Sequence, residues 1–419
     1  MKNKRKPSIK NKNTVAPPGK SPFVSPAPPL SERLEAWLSR RRKASLGILV
    51  LCWVLIRVFM FDSVANGPLY RMYEWKESDS AFFDDWARSL AAGDWLNQQP
   101  LHPYHGWHRE FADYFFDQHP EKRNEILAAN PNRASNFEPG KSLWNQWYGG
   151  NTYHQEPLYA YLLAVLYWLS GNGVYWMLLL QSAFGVGSGV LLWSIARRYF
   201  GDTVAVLTGL LYLFCGMILF QEMLVLRTSW SVFFALLLVW TLDRALDRRT
   251  TTAFLLHGIS IGLAVLMQSV FLLFLPVAPV IYFVKMRKVS KPLVRNIAAL
   301  GFGLLLIISP LVLRNGIVGV PLFSISSVGP ITFITANVYG TKTIASWRPD
   351  APKCAAIMDQ SRGKLGAAVL GAMQTHPGAG TYFSLLGKNW AAPWMERNGR
   401  ITKIIISINQ WFRPFKSLF

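Results

Sequence analysis

Long apolar runs are the feature that most constrains this chain, because several of them are long enough to cross a lipid bilayer. Crossing takes about 20 helical residues, and only 16% of the residues are charged, against roughly 25% in soluble domains. We predict an all-α integral membrane protein with about seven transmembrane helices, at residues 44–61, 174–196, 203–221, 225–243, 252–268, 269–284 and 294–313. Pro276 and Pro279 leave open whether 252–284 is two spans or one kinked helix.

The net charge of +21 is distributed unevenly along the chain. Residues 1–43 carry 12 Lys and Arg against 2 acidic residues, whereas residues 62–173 carry 8 against 14. Lys and Arg are retained on the cytoplasmic side of a membrane. The N-terminus is therefore predicted to be cytoplasmic and the first long loop external, and the basic charge needs no nucleic-acid partner.

The segment 157–169 decides the topology of the remaining chain. It has 13 residues, which is short for a span, and its Tyr and Trp residues favour the membrane interface. If it lies on the outer surface, the pairs Arg197-Arg198 and Arg248-Arg249 both fall on the cytoplasmic side. We therefore predict an interfacial or re-entrant helix here.

Five regions follow from this assignment. They are a disordered basic cytoplasmic tail (1–43), the first transmembrane helix (44–61), an external loop with juxtamembrane helices (62–173), a transmembrane bundle (174–313) and an external C-terminal region (314–419). The last region carries 12 Lys and Arg against 3 acidic residues, which opposes the charge rule. Long translocated segments tolerate this, and binding of an anionic ligand is an alternative explanation.

An acidic and aromatic segment after the first span holds the main catalytic candidate, Asp79. A helix here would have one apolar face, formed by Phe82, Phe83, Trp86 and Leu90. It would then lie on the membrane and present its acids at the surface, where a carboxylate can act as a general base. Asp84 and Asp85 are candidates for contacting the acceptor or supporting Asp79. The alternative is an acidic, solvated loop helix.

Charged residues beside the spans are further candidates. Arg227 and Arg314 fall near the outer face, where a lipid phosphate would lie, with snorkelling to the surface as the alternative. Glu222 is a candidate ion-pair partner of Arg227. His154 and Glu156, before the interfacial helix, are candidates for acceptor or metal contacts, with ordinary helix capping as the alternative.

Metal and nucleotide chemistry have little support in the sequence. His102, His105 and His108 resemble a ligand cluster, but Pro103 and Gly106 argue against a regular helix, so exposed loop histidines are favoured. No cofactor is predicted with certainty, a divalent metal stays an option, and its ligands are unknown. Phosphate-binding loops, His-Glu-x-x-His and Cys-x-x-Cys motifs do not occur.

The order and spacing of several motifs resemble the GT-C glycosyltransferase superfamily, and more narrowly its bacterial family 39-like group of protein-mannosyltransferase type. The resemblance covers about residues 45–345. The similar segments are Asp79 to Phe83, Gly93-Asp94-Trp95, Pro157-Leu158-Tyr159, Ala196 to Gly201, Arg314-Asn315 and Ser326-Ser327-Val328-Gly329.

The resemblance implies a GT-C-like bundle that transfers a sugar from a polyprenyl-phosphate-linked donor to an acceptor hydroxyl at the outer face of the membrane. Asp79 would be the general base, and Arg227 and Arg314 would bind the donor phosphate. Membrane lipids and an acceptor protein, lipid or glycan would be partners, in a bacterial inner membrane. The family usually has two prolines where this chain has Glu156-Pro157, and further C-terminal spans, so a truncated or divergent member is expected.

A non-catalytic multi-span transporter or assembly scaffold is the alternative function. A transporter would place its ionisable groups at mid-bilayer inside broken helices, and a scaffold would tolerate the loss of Asp79. The clustering of acidic residues outside the first span favours the enzyme.

Overall fold

The computed structural model describes residues 29–132, 134–286, 291–339, 352–385 and 387. These residues form helices, turns and loops and contain no strand, so the predicted all-α class is confirmed. The predicted disorder of the N-terminal tail is wrong for residues 30–40 and 42–43, which are helical. Residues 1–28 lie outside the described residues. The same holds for 287–290 and for much of the predicted C-terminal region, namely 340–351 and 388–419.

Seventeen α-helices occur among the described residues. The first nine are α1 (Leu30–Arg40), α2 (Arg42–Ala65), α3 (Asp79–Ala91), α4 (Gly106–Gln118), α5 (Pro120–Ala129), α6 (Pro139–Trp147), α7 (Pro157–Ser170), α8 (Gly173–Phe200) and α9 (Asp202–Leu213). The others are α10 (Gly216–Glu222), α11 (Thr228–Arg248), α12 (Thr251–Met267), α13 (Phe274–Met286), α14 (Lys291–Val318), α15 (Val328–Asn337), α16 (Pro352–Gln360) and α17 (Leu365–Gln374). Two short 3₁₀ helices cover Pro68–Glu74 and Ser269–Leu273.

Four of the described helices, α2, α8, α11 and α14, are long and apolar enough to cross a membrane. A fifth span results if α9 and α10, which meet at a bend of 57°, are taken together. The runs predicted at 252–268 and 269–284 fall on α12 and on Ser269–Lys285, which are shorter apolar helices. The chain is thus a multi-span membrane protein, and the number seven stays a prediction.

Helix α8 is the hub of the bundle, and it packs against α2, α7, α9 and α11. Helices α12 and α14 pack along each other with their backbones in contact. A Cβ atom at Gly258 would overlap the Leu300 carbonyl, and one at Gly303 would overlap the Leu255 carbonyl. Small residues permit such close approach of helices in membranes, so Gly258 and Gly303 determine the distance between the two helices. We call this contact the α12–α14 seam.

A buried ion pair joins α2 to the last residue of α10. Arg57 donates from Nε and Nη2 to the Glu222 carboxylate at 2.8 and 2.7 Å, and Nη2 also contacts the Tyr212 hydroxyl at 3.2 Å. Both charged side chains are almost fully buried. The prediction that Glu222 pairs with Arg227 was therefore wrong, because Arg57 occupies both oxygens of that carboxylate.

The long loop after α2 and the segment after α14 share an extramembrane core. Its buried members include Phe115, Trp144 and Trp147 from the loop, and Ile334, Cys354 and Ala368 from the later segment. The two segments therefore lie on one side of the bundle. Helix α3 instead joins the main core, since it packs on α7 through Phe83, Trp86 and Leu90.

Candidate active site

Asp79 is the first residue of α3, where the chain turns from the loop into the helix. Ser78 caps this helix, since its hydroxyl accepts a hydrogen bond from the Ala81 amide at 3.1 Å. The apolar face of α3 is buried, whereas Asp79 is exposed, and no described residue donates a hydrogen bond to its carboxylate. A carboxylate is favoured at a helix N-terminus because the helix dipole is positive there.

Asp79 faces Arg227 across a cavity of about 220 Å³. The cavity lies where the N-terminal ends of α3 and α11 meet the residues just before α7 and just after α12. Its lining is largely polar, formed by Asp79, Phe83, Gln155, Leu226, Arg227, Thr228 and Gln268. We call this space the Asp79 cavity. It combines an unpaired carboxylate with a cation and the positive end of α11.

Arg227 is held in place by a buried carboxylate. Its Nη1 donates to Glu156 Oε2, while Glu156 Oε1 accepts a hydrogen bond from the Ser269 amide at 2.9 Å. Glu156 is only 1% exposed. Burial lowers the pKa of Arg227 to about 10, and the opposing charge of Asp79 raises it. The guanidinium is thus a positive charge at neutral pH, oriented by Glu156.

Two amides in the Asp79 cavity were not predicted from the sequence. Gln155 Oε1 is buried and has no hydrogen-bond partner among the described residues, and Gln268 follows the last residue of α12. Buried polar atoms without partners are costly, so Gln155 is suited to a hydroxyl-rich ligand. The one available signal was its position, directly before Glu156 in a motif already singled out.

Asp84 and Asp85 do not line the Asp79 cavity. Asp84 is buried between α3 and α7, where it accepts hydrogen bonds from the Tyr167 hydroxyl and, at 2.8 Å, from Arg88. Asp85 forms an exposed ion pair with Lys76 at 2.7 Å. Asp84 therefore helps to hold α3 against α7, Asp85 forms only a surface ion pair, and neither residue lines the Asp79 cavity.

His154 lies behind the Asp79 cavity and not in its lining. It is buried among aromatic rings, with ring centroids 5.3 Å from Phe82, 5.3 Å from Tyr148 and 5.8 Å from His102. Burial lowers the pKa of His154 well below its usual value and that of His102 to about 4. Both rings are therefore neutral near pH 7 and serve as packing groups.

The described residues contain no group of three or more His, Cys, Asp or Glu side chains that could hold a metal ion. The three loop histidines do not converge as a ligand set. His108 is buried and contacts the Tyr148 hydroxyl at 3.0 Å, while His102 contacts the Gly150 carbonyl at 2.7 Å. The optional divalent metal stays a prediction from the sequence.

Arg314 is committed to backbone carbonyls and does not reach the Asp79 cavity. Its guanidinium donates to the carbonyls of Leu96, Asn97 and Asn151, each at 2.8 Å, and lies 4.0 Å from the centroid of the Tyr153 ring. It thereby fixes the loop between α2 and α7 to the end of α14. The structure separates Arg314 from Arg227, with which it was grouped as a phosphate ligand.

Arg314 instead marks one end of an apolar groove of about 440 Å³. Side chains of α7, α12 and α14 line it, including Leu158, Leu263 and Ile307. A groove of this composition between membrane helices is suited to a hydrocarbon chain.

Residues 154–313 match the family model described as dolichyl-phosphate-mannose-protein mannosyltransferase. The match spans less than half of the chain. It includes Glu156 and Arg227, excludes Asp79, and ends one residue before Arg314. It confirms the resemblance to GT-C-type membrane glycosyltransferases that the sequence motifs predicted. No curated protein and no solved structure matches the chain.

Proposed function

We propose that this protein is a membrane glycosyltransferase that moves a sugar from a polyprenyl-phosphate-linked donor to an acceptor hydroxyl. The observation that carries the proposal is the Asp79 cavity, in which an unpaired carboxylate faces an oriented cation. The match of residues 154–313 to a family of lipid-phosphate-dependent mannosyltransferases supports the general reaction.

In the proposed reaction, Asp79 acts as the general base. Its carboxylate takes the proton of the acceptor hydroxyl as that oxygen attacks the anomeric carbon of the donor sugar. The bond from this carbon to the lipid phosphate oxygen breaks, and the phosphate leaves with the electron pair. A single displacement of this kind inverts the configuration at the sugar carbon.

Arg227 would stabilise the negative charge that develops on the leaving phosphate. The N-terminal end of α11, next to Arg227, adds unpaired backbone N–H groups and the positive end of a helix dipole. Glu156 would hold the guanidinium in position, because it is itself fixed by the Ser269 amide. Gln155 and Gln268 are proposed to hydrogen-bond the sugar hydroxyls.

The apolar groove beside Arg314 is the proposed path of the donor lipid chain. Its lining by α7, α12 and α14 would leave it open to membrane lipids. In the proposed orientation the N-terminus is cytoplasmic and the Asp79 cavity lies at the outer face of the cell membrane. The excess of Lys and Arg in residues 1–43 supports this orientation.

The test is sugar transfer with Asp79→Asn and Asp85→Asn variants. Asn keeps the size of the side chain but cannot accept the proton, so Asp79→Asn should reduce transfer by roughly 100-fold or more. Asp85→Asn removes the same charge from the same helix, outside the cavity, and should transfer at the wild-type rate. The measurement is incorporation of radiolabelled sugar from a polyprenyl-phosphate donor pool in membranes with matched protein levels.

Transfer by Asp79→Asn at the wild-type rate would remove Asp79 as the base. If the wild type binds the donor but transfers nothing to the acceptors in these membranes, a search for the missing acceptor is needed. If the wild type does not bind the donor, the transporter or scaffold alternative gains support.

A further inference from the structure

A second polar cavity lies at the other end of the bundle, far from Asp79. It has a volume of about 290 Å³ and lies between the last turns of α8 and α11. The start of α2 lies near this cavity, because Arg42 pairs there with Asp202, two residues beyond the end of α8. The other end of α2 leads toward α3 and the Asp79 cavity. The two cavities are therefore on opposite faces of the membrane.

The lining of this cavity contains more cations than anions. Arg197, Arg198 and Arg244 line it, together with Asp243. Arg198 lies 2.5 Å from Asp243 and 2.5 Å from Asp247, which is near the cavity. Asp243 also accepts a hydrogen bond from the Tyr199 hydroxyl at 2.8 Å. The acidic groups are thus engaged by Arg198 and Tyr199, which leaves Arg197 and Arg244 to act on a ligand.

Arg197 and Arg244 form no ion pair within 4.0 Å among the described residues. Arg197 Nε is buried and has no hydrogen-bond partner in the described part of the chain. Each guanidinium stacks on an indole ring, at 5.3 Å from the Trp193 centroid and 5.0 Å from the Trp240 centroid. Stacking engages the face of a guanidinium, so its in-plane N–H groups remain free to donate.

The cavity lies near the C-terminal ends of two helices that are long enough to span a membrane. Trp193 and Trp240 lie near the ends of spanning helices, as tryptophans at membrane interfaces do. Basic pockets between transmembrane helices at this depth suit the phosphate groups of anionic lipids. Two arginines with planar sets of donors are well suited to bind phosphate oxygens in pairs.

We propose that this cavity is a phosphate-binding site, with Arg197 and Arg244 as its ligands and the phosphate of an anionic phospholipid headgroup as its occupant. Free phosphate has the same recognised chemistry, and the experiment separates the two sources. The site is independent of the proposed transferase reaction, because it shares no residue with the Asp79 cavity and lies across the membrane from it.

The test compares lipid binding by the purified full-length protein and two double variants. Arg197→Gln/Arg244→Gln removes both proposed ligands, while Arg248→Gln/Arg249→Gln removes the same charge nearby without altering the cavity lining. The measurement is the shift in thermal unfolding, in neutral detergent, on titration with phosphatidylglycerol, phosphatidylcholine or inorganic phosphate. Size-exclusion elution checks the folding of each variant, and Arg244→Gln alone replaces the double variant if that variant misfolds.

We expect phosphatidylglycerol, but not phosphatidylcholine, to stabilise the wild type and the Arg248→Gln/Arg249→Gln variant. The cavity variant should bind phosphatidylglycerol roughly tenfold or more weakly, because charged hydrogen bonds are lost. Stabilisation by inorganic phosphate with the same variant dependence would keep the site and assign its ligand to free phosphate. Equal weakening in both double variants, or weakening in neither, would overturn the proposal.

Discussion

Arg227 and Arg314 show how two buried cations in one protein can be suited to different tasks. Within the described residues, Arg227 has one carboxylate partner and otherwise faces a cavity. The Arg314 guanidinium instead donates hydrogen bonds to three backbone carbonyl oxygens of the loop between α2 and α7. Position in the sequence grouped them, since both lie near the outer end of a predicted span. Their hydrogen bonds separate them into a candidate ligand-binding group and a structural one.

Replacing each arginine by Ala should therefore have different effects. Arg227→Ala should weaken binding of the lipid-phosphate donor by about 1.5–3 kcal/mol, since a charged hydrogen bond is lost. Arg314→Ala leaves three carbonyls without their donor, so it should mainly lower the temperature of unfolding. Donor titration and thermal unfolding of the two purified variants check this. Unchanged donor affinity in Arg227→Ala would contradict the assigned role.

At the scale of the helix, the packing of α12 against α14 influences the position of groups in the candidate site. Residues directly after α12 supply Gln268 to the Asp79 cavity and the Ser269 amide to Glu156. The spacing of α12 from α14 is set by Gly258 and Gly303, whose hydrogen atoms face carbonyls of the neighbouring helix. The position of these site groups therefore depends on a helix contact within the bundle.

Gly258→Ala should disturb both stability and the site. A methyl group there overlaps the Leu300 carbonyl, and overpacking of this kind costs about 1–3 kcal/mol. Gly301→Ala is the matched control, because a Cβ atom at Gly301 meets nothing within 4 Å, and Ala favours a helix. Thermal unfolding of both variants in detergent is the measurement. Equal unfolding temperatures would show that the seam can open without cost.

Hydropathy and periodicity predict where the helices lie better than they predict which side chains contact each other. The seven apolar runs fall on helices, but the apolar face of α3, which was predicted to lie on the membrane, packs against α7 in the main core. The pairing of Arg57 with Glu222, 165 residues apart, could not be inferred, because a charge in a span has several candidate partners. The position of Gln155 in the Asp79 cavity could not be inferred either, since a neutral amide near a helix start is common.

At the scale of the whole molecule, the two faces of the membrane differ in character. One face carries the long loop between α2 and α7, the aromatic core around Trp144 and the Asp79 cavity. The other carries the arginine-rich ends of α8 and α11. The charge of the N-terminal tail supports the assignment of the second face to the cytoplasm.

Labelling of single cysteines tests this orientation. In a background with Cys52, Cys215 and Cys354 replaced by Ala, we expect Glu77→Cys to react with a membrane-impermeant maleimide in intact cells. Arg248→Cys should react only after the cells are permeabilised, because both positions are exposed but lie on opposite faces. Labelling of Arg248→Cys in intact cells would reverse the proposed topology.

The shortness of α12 bears on the depth at which the proposed reaction would take place. Its 17 residues extend about 26 Å at 1.5 Å per residue, less than the roughly 30 Å hydrocarbon layer. A helix of this length that begins at one edge of the lipid tails would reach Gln268 before it clears the other edge. A lipid-borne donor would not have to rise out of the bilayer to react, whereas any acceptor would have to be delivered down to the membrane surface. Access by the acceptor, more than capture of the donor, would then limit what this protein modifies.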